Sequence, residues 1–353
     1  MEMKPDQSIC ELYAEAEHEC VTLSSDSTCG YRGIIAIHST ALGPAVGGTR
    51  FWDYECERAA SRDALRLSRA MSYKNALAGL PFGGGKAVII GDNQRTDREE
   101  IFRAHGRFVE SLRGRFITAE DVGTRPTDME YVRKETCYVA GLPSLSGDPS
   151  PITAKGVFRA MQACAKHRWG TESLAKRTVA IQGCGSTGYH LAKELHRDGA
   201  KLIVSDIDEL RVKRVVEEFG AVAESPSGIF ETNADVFAPC ALGGVLNDDT
   251  IPRLKVAIVV GAANNQLLDD AHGEALARLN ILFAPDFVAN SGGVINGCRE
   301  LLGWDESTAL AKVDEIHDRV INILEVATQT DEPPFKTANR MARALIAKAK
   351  AAR

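Results

Sequence analysis

Apolar residues recur along this chain in two rhythms: short continuous runs, and every third or fourth position. In the first half the runs GIIAIH (33–38), KAVII (86–90) and RFIT (115–118) read as strands set among amphipathic helices. Between Ala60 and Ala78, the residues Ala60, Ala64, Leu67, Met71 and Ala78 are spaced three, four or seven apart, which marks the inner face of a helix. Arg58, Arg62, Asp63, Arg66 and Arg69 fall mostly off that face and are expected in water.

The rhythm changes after GLPSLSGDPSPIT (141–153), a stretch dense in Gly, Pro and Ser that reads as an interdomain crossing. Strand-like runs then alternate with helices: TVAIQG (178–183), KLIVSD (201–206), DVFAP (235–239), VAIVVG (256–261) and ILFAP (281–285). Continuous apolar strands separated by helices predict a parallel sheet covered on both faces. One long helix is expected over about 306–330, stopped by the prolines of DEPPF and followed by a basic terminal helix. The pattern predicts two α/β domains, residues 1–145 and 146–329, the second a doubly wound sheet. Segment 330–353 is left open as a possible addition to the first.

Composition narrows the class without changing that outline. A chain of 353 residues, 44% hydrophobic and 25% charged, is ordinary globular material and long enough for two domains. A net charge of −6 without any basic block argues against nucleic acid as partner. The opening MEMKPDQSICELYAEAEHEC has neither a basic n-region nor an apolar h-region, and no run is long enough to span a membrane. Nine cysteines without a C-x-x-C pair suit reduced thiols, so a cytoplasmic protein without a metal site is expected.

The chemistry begins with Gly183-Cys184-Gly185-Ser186-Thr187-Gly188. G-x-G-x-x-G alone is a weak signal, because glycine turns after strands are common. Here it ends a strand, opens a helix and is followed by Asp206 at the end of the next strand. Gly183 makes the tight turn, Gly185 lets backbone approach a pyrophosphate, and Gly188 allows close helix packing. Ser186 and Thr187 open a helix whose free N–H groups suit phosphates. Asp206 would accept hydrogen bonds from ribose hydroxyls and repel a 2′-phosphate, which favours NAD over NADP. Arg211 is the residue that could instead meet a 2′-phosphate.

Lys74 falls three residues beyond Met71, on the inner face of its helix, where it must either snorkel out or meet an anion. Lys86 follows three glycines, which strip side chains from around it and leave it room to face a ligand. The segment is not a Walker loop, since no Ser or Thr follows the lysine. Ile117-Thr118-Ala119-Glu120-Asp121-Val122-Gly123 places adjacent carboxylates at a strand end, which alone reads equally as a cap or a turn.

Taken together, LGPAVGGTR (42–50), MSYKNALAGLPFGGGKAVI (71–89), ITAEDVG (117–123), PSPITAKGV (149–157), APCALGG (238–244), GAANNQL (261–267) and APDFVANSGGVIN (284–296) resemble the Glu/Leu/Phe/Val amino-acid dehydrogenase family, and within it the leucine dehydrogenases most closely. The resemblance runs through nearly the whole chain. It implies a substrate and oligomerisation domain, a Rossmann-type NAD-binding domain and a cleft between them. It also implies reversible oxidative deamination of an apolar L-amino acid to its 2-oxo acid and ammonia.

By the same resemblance, Lys74 binds the substrate carboxylate, helped by backbone at Gly47 and Gly48. Lys86 is the catalytic lysine that activates water, and Asp121 is the proton-exchanging carboxylate. Thr153 and Asn264 contact the nicotinamide end of the cofactor, and Asn265 orders the loop beside the substrate. Cys240 and Ala241 lie along the cofactor, with no redox role for the thiol. Val46, Met71, Ala119, Val294 and Gly297 surround the substrate side chain.

Glutamate-specific members carry a lysine where this chain has Val46, and an apolar residue cannot pair a second carboxylate. Ala119 is the residue of the leucine enzymes, whereas phenylalanine enzymes tend to have glycine there. Val46 in place of a leucine and Gly297 in place of a valine imply a roomier pocket. Leucine, isoleucine and valine are the expected substrates, with phenylalanine the alternative. An inactive NAD-binding regulator is the rival of another class, and retention of Lys74, Lys86 and Asp121 argues against it. A homo-oligomer is implied. Leucine dehydrogenases of the family carry an additional C-terminal tail that is absent after Lys348-Ala349-Lys350, which favours a dimer over an octamer.

Overall fold

The computed structural model describes residues 9–15, 17–142 and 147–352. They form two compact units: Met1–Gly147 with Glu300–Gly303 and Ala342–Arg353, and Asp148–Arg299 with Trp304–Met341. The domain boundary expected at 145/146 falls on residues outside those described.

The first unit is built on a five-stranded mixed sheet. Its strands are β1 (Cys20–Asp26), β2 (Tyr31–Ser39), β3 (Ala45–Trp52), β4 (Gly83–Ile90) and β5 (Phe116–Glu120), in the order β1-β2-β4-β3-β5. β4 runs antiparallel to β2 and parallel to β3, and every one of its residues is buried. Sequence alone did not yield β1 or β3. In β3 the pair Gly47-Gly48 interrupts the apolar run, so the strand does not announce itself. One sheet face is covered by the helix Glu57–Leu77, which buries Ala60, Ala64 and Leu65 against Ile34 and Val88. The other lies under the helices Glu99–Ser111 and Pro126–Arg133, with Phe51, Phe102, Phe116 and Met129 at its centre.

The second unit is a six-stranded, wholly parallel sheet. β6 (Thr178–Gln182), β7 (Lys201–Ser205), β8 (Val222–Ala223), β9 (Val236–Pro239), β10 (Ile258–Val259) and β11 (Leu282–Phe283) lie in the order β11-β10-β9-β6-β7-β8. The chain winds outward from β6 in one direction, then returns beside β6 and winds outward in the other. The strand order therefore reverses between β6 and β9, the point where α/β sheets of this kind open a crevice.

Two expectations need correction. The crossing 141–153 is shorter than its composition suggests, because the helix Ser150–Trp169 already starts at Ser150. Pro151 sits in its first turn, where a missing N–H removes no helical bond. Residues 143–146 of that crossing lie outside the described set. The expected helix over 306–330 is two, Glu306–Asp314 and Ile316–Thr330, parted at Glu315 alone. The buried stripe Ala309, Val313, Ile316, Val320, Ile323 and Ala327 keeps its three-and-four spacing across the break, so both segments present one apolar face.

Candidate active site

Strand alternation assembles the first part of the site. In β3 and β5 the register pairs Val46 with Ile117 and Gly48 with Ala119, so Val46, Gly48, Arg50, Ala119 and Asp121 share one face. Lys86 points to the same side from β4. Its Nζ donates to Asp121 Oδ2 at 2.8 Å. Lys86 is only 4% exposed, and an ammonium at that depth requires a counter-charge.

Asp121 opens the turn after β5, where its N–H donates to Thr124 Oγ1. The turn is pinned from behind by the buried Arg98, which donates to Gly123 O at 2.7 Å and forms an ion pair with Asp128. Burial alone would push the Asp121 carboxyl up. The charges of Lys86 and Arg50 outweigh it and hold the group below the usual carboxylate range.

The three glycines before Lys86 have a different reason from the one the sequence suggests. A Cβ at Gly84 would stand 2.0 Å from Ser72 N, and one at Gly85 would stand 2.6 Å from the Phe116 ring. They let a helix and a ring press directly onto β4, rather than clearing space for a ligand. The residues Gly47 and Gly48 are equally constrained: a Cβ would meet Gly85 O at 1.8 Å at the former and Asp121 Cβ at 2.8 Å at the latter.

Lys74 lies in the last turn of the helix Glu57–Leu77 and is half-buried. Met71, expected inside, is also only half-buried. Asp63, expected in water, is turned inward, where it accepts from Arg50 Nη1 and from the Tyr54 hydroxyl, each at 2.7 Å. Sequence reasoning gave Arg50 and Tyr54 no role in the site and placed Asp63 in water. Their one sequence signal was a charged residue, Arg50, in phase with Gly48 on a strand that was itself unrecognised.

In the second unit the predicted residues gather at the carboxyl ends of the parallel strands. Gly183 follows β6 with φ +101°, and a Cβ there would meet the backbone at Ala241, just beyond β9. A Cβ on Gly188 would strike Gly183 O at 1.9 Å, so that glycine permits the helix Ser186–Arg197 to close on the loop. Above Gly185 a Cβ would meet only the tip of Arg211, at 3.9 Å. The same helix, with Ser186 and Thr187 in its first turn, begins without a side-chain cap, leaving backbone donors for an anion. Asp206 ties the loop together by accepting from Cys184 N at 2.7 Å and Asp208 N at 2.9 Å. Each carboxylate oxygen keeps a lone pair for a hydroxyl donor. These features fit a dinucleotide.

Cys240 follows β9, and burial pushes its thiol up to about 12, so it stays protonated at neutral pH. Ala241 beside it is exposed. Asn264 Oδ1 accepts from Asn290 Nδ2 at 2.8 Å, while Asn265, at φ +52°, donates its N–H to the Asp286 carboxylate. Thr153 donates to Pro149 O from the first turn of its helix. Val294 and Gly297 stand three residues apart on the helix Gly292–Leu302, and a Cβ at Gly297 would meet nothing within 4 Å. Among the described residues, no cluster of His, Cys, Asp and Glu could hold a metal ion, and no helix is long and apolar enough to cross a membrane.

Known proteins with this arrangement are numerous. Residues 17–138 match the Glu/Leu/Phe/Val dehydrogenase dimerisation domain, and residues 146–353 match the Glutamate/Leucine/Phenylalanine/Valine dehydrogenase family. The chain is 48% identical to leucine dehydrogenase from Bacillus cereus over 348 residues, covering 98% of this chain and 95% of that protein. It is 50% identical to leucine dehydrogenase from Geobacillus stearothermophilus over 329 residues, 92% and 90% of the two chains. Among solved structures, L-tryptophan dehydrogenase from Nostoc punctiforme superposes with a TM-score of 0.87 at 42% identity, covering 97% of this chain and all of that one. By its two-unit α/β fold and these matches, the chain belongs to the Glu/Leu/Phe/Val dehydrogenase family and is a pyridine-nucleotide-dependent oxidoreductase that oxidatively deaminates amino acids.

Proposed function

We propose that this enzyme uses NAD to interconvert leucine, isoleucine and valine with their 2-oxo acids and ammonia. The observation that carries the reading is the buried Lys86–Asp121 pair on a sheet face whose neighbouring side chains, Val46 and Ala119, are apolar. A charged substrate side chain would be desolvated there without a partner. Identity near one half to leucine dehydrogenases supports the same choice.

In this proposal Lys74 holds the substrate α-carboxylate with the backbone of Gly47 and Gly48. Asp121 takes a proton from the substrate ammonium, and Lys86, acting as the neutral amine once its own proton has left to solvent, then accepts the proton of the water that hydrolyses the imine. A bound nicotinamide would supply the acceptor for the hydride that leaves Cα. Gly183, Gly185, Ser186, Thr187 and Gly188 hold the pyrophosphate, and Asp206 holds the adenosine ribose. Cys240 and Ala241 flank the cofactor. Thr153, Asn264 and Asn265 order its nicotinamide end and the substrate loop. Val46, Met71, Ala119, Val294 and Gly297 limit the size of the substrate side chain.

Open space at Gly297 favours one second reading, a bulkier substrate such as phenylalanine. Following NADH formation at alkaline pH with a panel of amino acids separates the two. A kcat/KM higher for phenylalanine than for leucine overturns the branched-chain assignment, and no turnover with any amino acid overturns both.

We further propose a homo-oligomer, a dimer rather than an octamer, in line with the dimerisation domain matched by residues 17–138. All nine cysteines are free, which suits the cytoplasm. Light scattering that gave eight subunits would overturn the dimer, and a monomer would overturn the assembly altogether.

A further inference from the structure

Two cations converge on the same oxygen of Asp121. Lys86 Nζ lies 2.8 Å and Arg50 Nε 3.1 Å from Oδ2. Among the described residues no hydrogen bond falls on Oδ1. Arg50 does not float in this position. Its Nη1 donates to Asp63 Oδ2 at 2.7 Å, and that oxygen also accepts the Tyr54 hydroxyl. A chain of contacts therefore runs from Tyr54 through Asp63 and Arg50 to Asp121 and Lys86. It links the helix Glu57–Leu77, the strands β3 and β4, and the turn after β5.

We infer that Arg50 is a positioning residue for the deamination: clamped by Asp63, it fixes Asp121 through Oδ2 and leaves Oδ1 as the oxygen that meets the substrate amine. The inference rests on the proposed role of Asp121. Lys86 alone cannot do this work throughout a turnover, because in the proposed role it gains and loses a proton. Arg50 keeps its charge at every step. Its planar fork reaches two carboxylates from two different atoms, which one lysine ammonium cannot reproduce. Gly48, two residues earlier on the same strand, completes the seat. A Cβ there would stand 2.8 Å from Asp121 Cβ and push the carboxylate away.

The test is a double-mutant cycle in the full-length enzyme, joining R50Q and D121N, with kcat, KM, Tm and NADH affinity measured for each variant. The slow variants are assayed at high enzyme concentration. R50Q is expected to lower kcat by roughly 10- to 100-fold, the scale of a misplaced catalytic group, while NADH affinity stays unchanged. R50K should recover part of the loss. In the D121N background, R50Q should change kcat by no more than about twofold, the limit of ordinary additivity.

Wild-type turnover by R50Q, or an equal loss from R50Q with and without Asp121, overturns the inference. D121N with wild-type kcat overturns the role of Asp121 itself, a distinguishable failure. If R50Q does not fold, D63N replaces it in the cycle. It unclamps Arg50 but keeps the charge beside Asp121, and it should lower kcat only where Asp121 is present. Equal loss in both backgrounds then overturns the inference.

Discussion

Lys86 Nζ donates to Asp121 Oδ2 across 2.8 Å, joining the middle of a fully buried strand to the first residue past the end of β5. The pair belongs to the first unit, whereas the glycine loop Gly183–Gly188 and Asp206 belong to the second. Lys86→Ala should therefore abolish turnover and leave NADH affinity intact. Loss of a general base costs about 10²- to 10⁴-fold. A variant that keeps a tenth of wild-type kcat would remove Lys86 from its role. Lys74→Ala should act differently and chiefly raise KM for the amino acid, since a hydrogen bond to a charged group contributes about 1.5–3 kcal/mol. An unchanged KM would mean that the carboxylate is held elsewhere.

Cofactor choice should follow Asp206. Its two oxygens already accept from Cys184 N and Asp208 N, so the carboxylate is held in place before any ribose arrives. The wild type should strongly prefer NAD, and Asp206→Ser should relax that preference. Equal rates with NADP in the wild type would shift attention to Arg211, whose guanidinium lies nearest the open space above Gly185.

Side-chain preference should respond to Ala119 and Gly297 in opposite senses. Ala119→Gly should move preference toward phenylalanine. Gly297→Val, which has room for its Cβ, should move it toward short branched chains. Each methylene changes discrimination by only about 1–3 kcal/mol, so aliphatic substrates will overlap. The ratio of kcat/KM for leucine and phenylalanine measures both effects. If neither variant alters the ratio, these residues do not select the substrate side chain.

Acid should weaken the first unit before its carboxylates titrate. Burial holds His105 down to about 3, and burial with nearby cations does the same to His38. His105 is locked between Tyr31 and Thr49, and His38 contacts Ser72. In the unfolded chain each takes up a proton near pH ~6.5. Their depressed folded values mean that the stability they contribute is complete above that pH and is lost progressively as pH falls toward 3. Each steepens the decline by up to about 1.4 kcal/mol per pH unit. Denaturant unfolding between pH 6 and 4 should show a shallower decline for His105→Gln than for the wild type. The same slope in both would mean that His105 protonates freely in the folded protein.

The sequence by itself determined most of the second unit. Five of its six strands are continuous apolar runs, the short exposed β8 alone going unrecognised, and the spacing from Gly183 to Asp206 is local enough to read along the chain. It also marked Lys74, Lys86 and Asp121 through motifs that resemble a known family. Tertiary structure alone decided how Asp121 is seated. Helical periodicity put Asp63 off the apolar face, yet Arg50 and Tyr54 turn it inward, because a half-buried guanidinium needs a carboxylate more than that carboxylate needs water. The close approach of Ser72 to Gly84 gave the glycine run a packing role that composition could not distinguish from a ligand-binding one. Both facts depend on the register that pairs Val46 with Gly84 and Gly48 with Ala119. Such pairing joins segments tens of residues apart, and local pattern carries no record of which distant strand a side chain will face.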